Sequence, residues 1–263
     1  GTWRTIQAEG SDDSIPDGLT KALVERIQGK QKMLQEFWEA QKWFEELIPS
    51  LQTCELTVQP DAEPLSKKLD YEYPNTTNVT SRTPLAKFND FYAIDLETTG
   101  LSAVRNEIIQ IAIIKFHHFQ PVEILSSYVK PRKELKPEAA AINHITEDMV
   151  ADAPYIEQIM QSVDAFIGER APIVAHNLQF EYKFLAANGS ENIAKKRPLY
   201  DTLELSKRVW QLESYSLENV CRNTFKFTPA LHNAESDALT CGLLFREICS
   251  ERIGSLKDAL ACE

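Results

Sequence analysis

The chain has 263 residues, 43% of them hydrophobic and 25% charged, with a formal net charge of −11 at pH 7. That length and apolar fraction suffice for one large core, or for one core with an appendage. No run of about 18 consecutive apolar residues occurs, the start lacks a basic-then-apolar leader pattern, and five cysteines without a CxxC pair fit neither a disulfide framework nor a zinc site, so no membrane contact and a cytoplasmic location are expected.

Residues 15–48 read as helix, because Leu23, Ile27, Leu34, Phe37, Phe44 and Leu47 recur near helical spacing; Gly29 offers a break and Pro49 a stop. This stripe, with Trp38 and Trp43 beside it, either packs on the main domain or docks a protein partner. Residues 1–49 thus form an N-terminal helical segment. From 50 to 87 the chain is rich in Pro, Thr and Asn without periodicity, which marks a linker or wrapping segment. The main domain is expected over 88–263.

Three β-branched, apolar runs open it: FYAIDL at 91–96, EIIQIAIIKF at 107–116 and EILSSYV at 123–129. A helix follows from Pro154 with Ile156, Ile159, Val163 and Phe166 on one stripe. PIVA at 172–175 is a short strand feeding a helix over 177–189, LYDTLEL gives a further strand and helix, and SLENVCRNTF and NAESDALTCGLLFREIC close the chain as helices. Strands first and alternating strands and helices afterwards imply an α/β fold with a mixed sheet flanked by helices.

Chemistry concentrates where these elements end. Asp95 and Glu97 stand at i and i+2 of the first strand, so both side chains point to one face. Two carboxylates that close repel unless a cation lies between them or one keeps its proton, and carboxylates suit hard cations such as Mg²⁺ or Mn²⁺. His232 and Asp237 stand at the start of the last helix. Five helical residues turn through about 140°, so these two do not share a face and need separate tasks: Asp237 fixed on the helix, and His232 suited to general-base work, the side-chain type whose unperturbed pKa is about 6.5. Glu181 lies one turn into the helix after His176 and Asn177. Those two read as structural groups of a strand-to-helix turn, and Asp201 as a helix cap in the D-x-x-E pattern with Glu204. The basic groups around Lys130–Lys136, Lys195–Arg197 and Lys207 read as solvated faces.

The segments IDLETTGL, IVAHNLQFEYKFL and LHNAESDALT, in this order, resemble the three motifs of the DnaQ-like, DEDDh-type 3′-to-5′ exonucleases of the RNase H-like superfamily. The likeness covers roughly residues 88–250. It implies an RNase H-like fold, two Mg²⁺ or Mn²⁺ ions held by Asp95, Glu97, Glu181 and Asp237, and a general base in His232. It also implies that Glu97 holds the terminal 3′-hydroxyl and that Thr98, Thr99, Gly100 and Leu101 line the pocket for the last nucleotide. The expected partner is a nucleic-acid 3′ end, single-stranded DNA ahead of RNA; an inactive nucleic-acid-binding module is the alternative from another class. One position departs from the pattern: the second motif usually ends in Asp, and here Glu181 is longer by one methylene. The acidic balance is the wrong sign for a simple nucleic-acid binder, but bound divalent cations reverse the local charge.

Overall fold

The structure, a computed structural model, describes residues 17–64, 67, 72–80, 83, 88, 90–225 and 232–253. Helix α1 (Asp17–Ser50) is continuous through Gly29 and takes Pro49 into its last turn. The expected break at Gly29 fails, because an exposed glycine costs a helix only about 1 kcal/mol, whereas the stop holds to within one residue, the helix ending at Ser50 directly after Pro49. The side chains of Leu23, Ile27, Leu34 and Phe37 lie outside the described residues. Further along, Phe44 is buried in the main core, with Ala40, Leu47 and Ile48 packed against it, while Trp38 and Trp43 are exposed.

The sheet has six strands in the order β1-β4-β3-β2-β5-β6: β1 (Gln52–Thr53), β2 (Asp90–Thr98), β3 (Ile108–His117), β4 (Gln120–Tyr128), β5 (Ile173–Ala175) and β6 (Leu199–Asp201). β2, β3 and β4 form an antiparallel meander, and β5 and β6 continue from β2 in parallel. The remaining helices are α2 (Pro137–Asn143), α3 (Glu147–Val150), α4 (Ile156–Ile167), α5 (Leu178–Ala187), α6 (Thr202–Val209), α7 (Leu217–Phe225) and α8 (Ala234–Arg252). α2, α3 and β1 were not expected from the sequence. None of the described helices is long and apolar enough to cross a membrane.

Alternation along β2 divides the core in two. Tyr92, Ile94 and Leu96 join Ile111 and Ile113 under α4 and α5. Phe91 and Ala93 join Ala112, Ile114 and Phe116 under α6, α7 and α8. Asp95 and Glu97 continue this second row, so the pleat that buries Phe91 also aims both acids at α8. Phe91 stacks on Phe116 with ring centroids 4.7 Å apart and meets Phe245 of α8 edge-on at 5.2 Å; such pairs add about 0.5–1.5 kcal/mol each beyond burial. Gly242 lets the helix come this close, since a Cβ there would stand 2.1 Å from the Phe116 ring. The depth of α8 sets how far Asp237 reaches toward β2.

The described residues among 50–80 run along the sheet as a strap. Gln52 and Thr53 pair with β4, and the Cys54 amide donates to the Ile124 carbonyl at 2.7 Å. The strap then crosses α4, where Thr57 and Ser162 exchange two hydrogen bonds. At the opposite edge the Thr77 amide donates to the Leu199 carbonyl of β6 at 2.6 Å.

Candidate active site

Oxygens of Asp95, Glu97 and Asp237 all lie within 4.8 Å of one another. Two elements bring them together: the end of β2 and the first turn of α8. Asn233 caps that helix by accepting from the amides of Glu235 and Ser236, and the Asp237 Oδ2 accepts from the His232 amide at 3.1 Å. Asp237 Oδ1 is buried and has no hydrogen-bond partner among the described residues. A buried carboxylate oxygen without a donor carries a free-energy cost that a cation would remove.

Electrostatics point the same way. Burial, followed by the charges of Asp237, Glu181 and Glu97, holds the Asp95 carboxyl well above its ordinary range. Burial pushes Glu97 up to about 7. Asp237 also rises to about 7, through burial and the Glu97 charge against the opposing His232 amide. Three carboxyls that resist ionisation yet point at one spot form an oxygen-only donor set that fits a hard divalent cation.

Raised carboxyl pKa values make a linkage prediction. The native state holds the Glu97 and Asp237 protons up to about pH 7, whereas the unfolded chain loses them near pH 4, so their contribution is fully present below about pH 4 and lost as pH climbs through 7. In EDTA the melting temperature is expected to fall from pH 5 to pH 8. Mn²⁺ should raise it more at pH 8 than at pH 5, and an equal rise at both would contradict a cation held by ionised carboxylates.

Glu181 stands outside the group of three but within its field. It is buried in the first turns of α5, its Oε2 has no partner among the described residues, and burial and the Asp201 charge push its carboxyl well above the usual range. The charge of Glu181 contributes to raising the Asp95 carboxyl. His232 is placed differently. It adopts the left-handed region with φ 67° and is exposed, and its hydrogen bond to Asp237 is made by its backbone amide.

Thr98, Thr99, Gly100 and Leu101 do line a cavity next to Glu97, of about 430 Å³, whose far wall is Lys136, Ile142, Asn143 and Phe180. β2 bulges between Glu97 and Thr98, a device that re-aims side chains at strand ends. The turn after it is fixed by Asn106, which accepts from the Ser102 amide and donates to the Thr99 carbonyl. Gly100 has φ 152°, and a Cβ there would meet the Asn106 amide at 2.7 Å.

His176 is the structural group it was read to be. Nε2 donates to the Tyr215 carbonyl at 2.8 Å, Nδ1 meets the Thr202 hydroxyl at 3.0 Å, and burial lowers its pKa to about 4. Asn177 departs from expectation: its side chain makes no cap bond, and its contribution is a left-handed backbone at φ 73° that turns the chain into α5. Asp201 caps α6 through the Leu203 amide and also accepts from the Asn177 amide at 3.0 Å. Glu204 does not reach back to complete a capping box and pairs instead with Lys207.

Gln110 went unnoticed in the sequence. It is buried on β3 directly opposite Glu97, and its Oε1 accepts from the Ala234 amide at 3.2 Å, tying the sheet to the first turn of α8. The antiparallel register would have revealed it, because residues opposite each other share a face.

A six-stranded β1-β4-β3-β2-β5-β6 mixed sheet with carboxylates at the end of β2 and on the last helix defines an RNase H-like α/β protein. The exonuclease family profile matches residues 92–245, and the chain belongs to this DnaQ-like exonuclease family. The DNA polymerase III subunit epsilon of Treponema pallidum is 33% identical over 162 residues, which are 59% of this chain and 74% of that protein. A PolC-type DNA polymerase III of Halalkalibacterium halodurans is 33% identical over 165 residues; these are 61% of this chain but only 11% of the relative's length. Among solved structures, the zinc-bound complex of E. coli exonuclease I with single-stranded DNA superposes with a TM-score of 0.55 at 17% identity, covering 66% of this chain and 43% of that one, and shows the shared fold.

Proposed function

We propose that this chain is a metal-dependent 3′-to-5′ exonuclease that hydrolyses single-stranded DNA from its 3′ end and releases nucleoside monophosphates. The observation that carries the reading is the juxtaposition of the three converging carboxylates with the Thr98–Leu101 cavity, joined through Glu97. The cavity volume falls in the roughly 300–1,000 Å³ range of small-ligand sites, enough for one terminal nucleotide rather than a strand passing through. DNA is favoured because the Treponema relative is named as a subunit of a DNA polymerase and the E. coli neighbour was solved with single-stranded DNA.

In this reading Asp95, Glu97 and Asp237 hold divalent cations, two by family resemblance, with Glu181 beside Asp95 as the fourth acid. When bound, Mg²⁺ or Mn²⁺ supplies charge stabilisation for the attacking and leaving oxygens of the phosphodiester. Glu97 also borders the cavity and receives the terminal 3′-hydroxyl, which restricts cleavage to ends. The turn Thr98–Leu101 packs against the terminal sugar and base, with Phe180 and Ile142 opposite. His232, exposed at the entry to α8, takes the proton from the attacking water as general base. A cytoplasmic location fits the free thiols of Cys54, Cys221, Cys241 and Cys249.

Oligomers of matched DNA and RNA sequence, labelled at the 5′ end, test this directly. With Mn²⁺ the DNA label is expected to shorten stepwise to small products, and with excess EDTA to stay full length. Intact DNA and RNA after prolonged incubation with Mn²⁺ would leave a binding module; RNA shortened in preference to DNA would reassign the substrate.

A further inference from the structure

Tyr73 lies in the strap, ahead of the region that the exonuclease family profile matches. Its ring meets that of Tyr182 edge-on, with centroids 5.2 Å apart at 74°. Tyr182 in turn donates its hydroxyl to the Glu72 carbonyl at 3.2 Å. These contacts pin the strap to the turn of α5 that carries Glu181, the residue before Tyr182. The Tyr73 hydroxyl is buried and has no hydrogen-bond partner among the described residues, and the same holds for Glu181 Oε2. One is a donor without an acceptor, the other an acceptor without a donor. Burial, followed by the charges of Asp201, Glu181, Tyr182 and Glu204, pushes the Tyr73 pKa upward, so the phenol keeps its proton and can donate it. Asp201 already accepts from the Asn177 and Leu203 amides. The acceptor left over is Glu181.

We propose that Tyr73 is a positioning residue of the active site, its hydroxyl donating to the Glu181 carboxylate through one bridging water and holding that carboxylate toward Asp95. The inference rests on the reading of Glu181 as the fourth acid. A glutamate has one more torsion than the aspartate usual at this position, and a fixed donor removes that freedom. The strap thereby supplies a part of the site that lies outside the matched region.

Tyr73→Phe keeps the ring against Tyr182 and deletes only the hydroxyl. Compared with the parent, kcat on a DNA oligomer is expected to fall about tenfold with KM nearly unchanged, and half-maximal activation to need about tenfold more Mn²⁺, the usual scale for a group that orients a metal ligand. In a Glu181→Asp background the same change should cost less, because the shorter side chain lacks the torsion that Tyr73 fixes. The Mn²⁺-induced rise in melting temperature should also shrink in Tyr73→Phe, and this readout needs no turnover. If the parent is inert on oligomers yet that rise still shrinks, the exonuclease reading fails and Tyr73 keeps its role. Tyr73→Phe with the parent's kcat and Mn²⁺ response overturns the inference, as does a lower metal-free melting temperature with an unchanged Mn²⁺ response. A parent that Mn²⁺ neither activates nor stabilises removes both readings.

Discussion

Asp95→Asn is expected to lower turnover by three or more orders of magnitude while raising the melting temperature of the metal-free protein. Asp95 is the acid most enclosed by others, with Asp237, Glu181 and Glu97 all acting on it, so its charge opposes folding when no cation offsets it. Asparagine has nearly the same shape and no charge, which relieves the repulsion and removes a metal ligand in one step. The rate loss on the order of 10³ is the scale for deleting a group that organises charge stabilisation in a transition state. Melting curves in EDTA and oligomer digestion with Mn²⁺ measure the two effects separately. Loss of activity together with a lower metal-free melting temperature would make Asp95 a structural residue, and retained activity would remove it from the site.

His232→Ala is expected to cost on the order of 10² to 10⁴ in kcat, the weight of general acid-base catalysis, with the Mn²⁺-induced stabilisation intact. The separation follows from the geometry: the backbone amide of this residue, not its ring, supports Asp237. Because the residue sits at φ 67°, alanine adds backbone strain of its own. His232→Asn is the control, since asparagine tolerates this region and cannot act as the base. Equal losses in the two variants assign the effect to the imidazole. If His232→Asn instead keeps the parent rate, the imidazole is not the base.

The difference between what the sequence disclosed and what it hid follows the range of the interactions. β2 to β4 were legible because Ile94, Ile111, Ile113 and their neighbours form long β-branched runs, and the i, i+2 spacing of Asp95 and Glu97 is itself a statement about one face of a strand. Asp237 was legible through its place at the start of the last helix and the likeness of LHNAESDALT to the third motif. α2 was missed because PEAAAIN is too short to show a stripe, and β1 because two residues have no period at all. Asp201 was half right: a local cap can be read locally, but the choice of Glu204 between its helix N-terminus and Lys207 depends on side-chain competition. Gln110 depends on strand register and Tyr73 on the path of the strap, and neither is written in a window of neighbouring residues.

That path has a consequence for how the protein behaves at high concentration. β4 and β6 are the two outer strands of the meander and its parallel extension, and each would otherwise present unpaired amides and carbonyls to any passing chain. The strap occupies part of both, at Gln52–Cys54 and at Thr77. A fragment cut to begin at β2 would keep every carboxylate of the site and bare both edges, and its tendency would be to join edge to edge into oligomers and precipitate. The same few hydrogen bonds that look like linker packing therefore act as a guard against self-association, and a comparison of light scattering between the 17–253 and 90–253 pieces would make that guard visible.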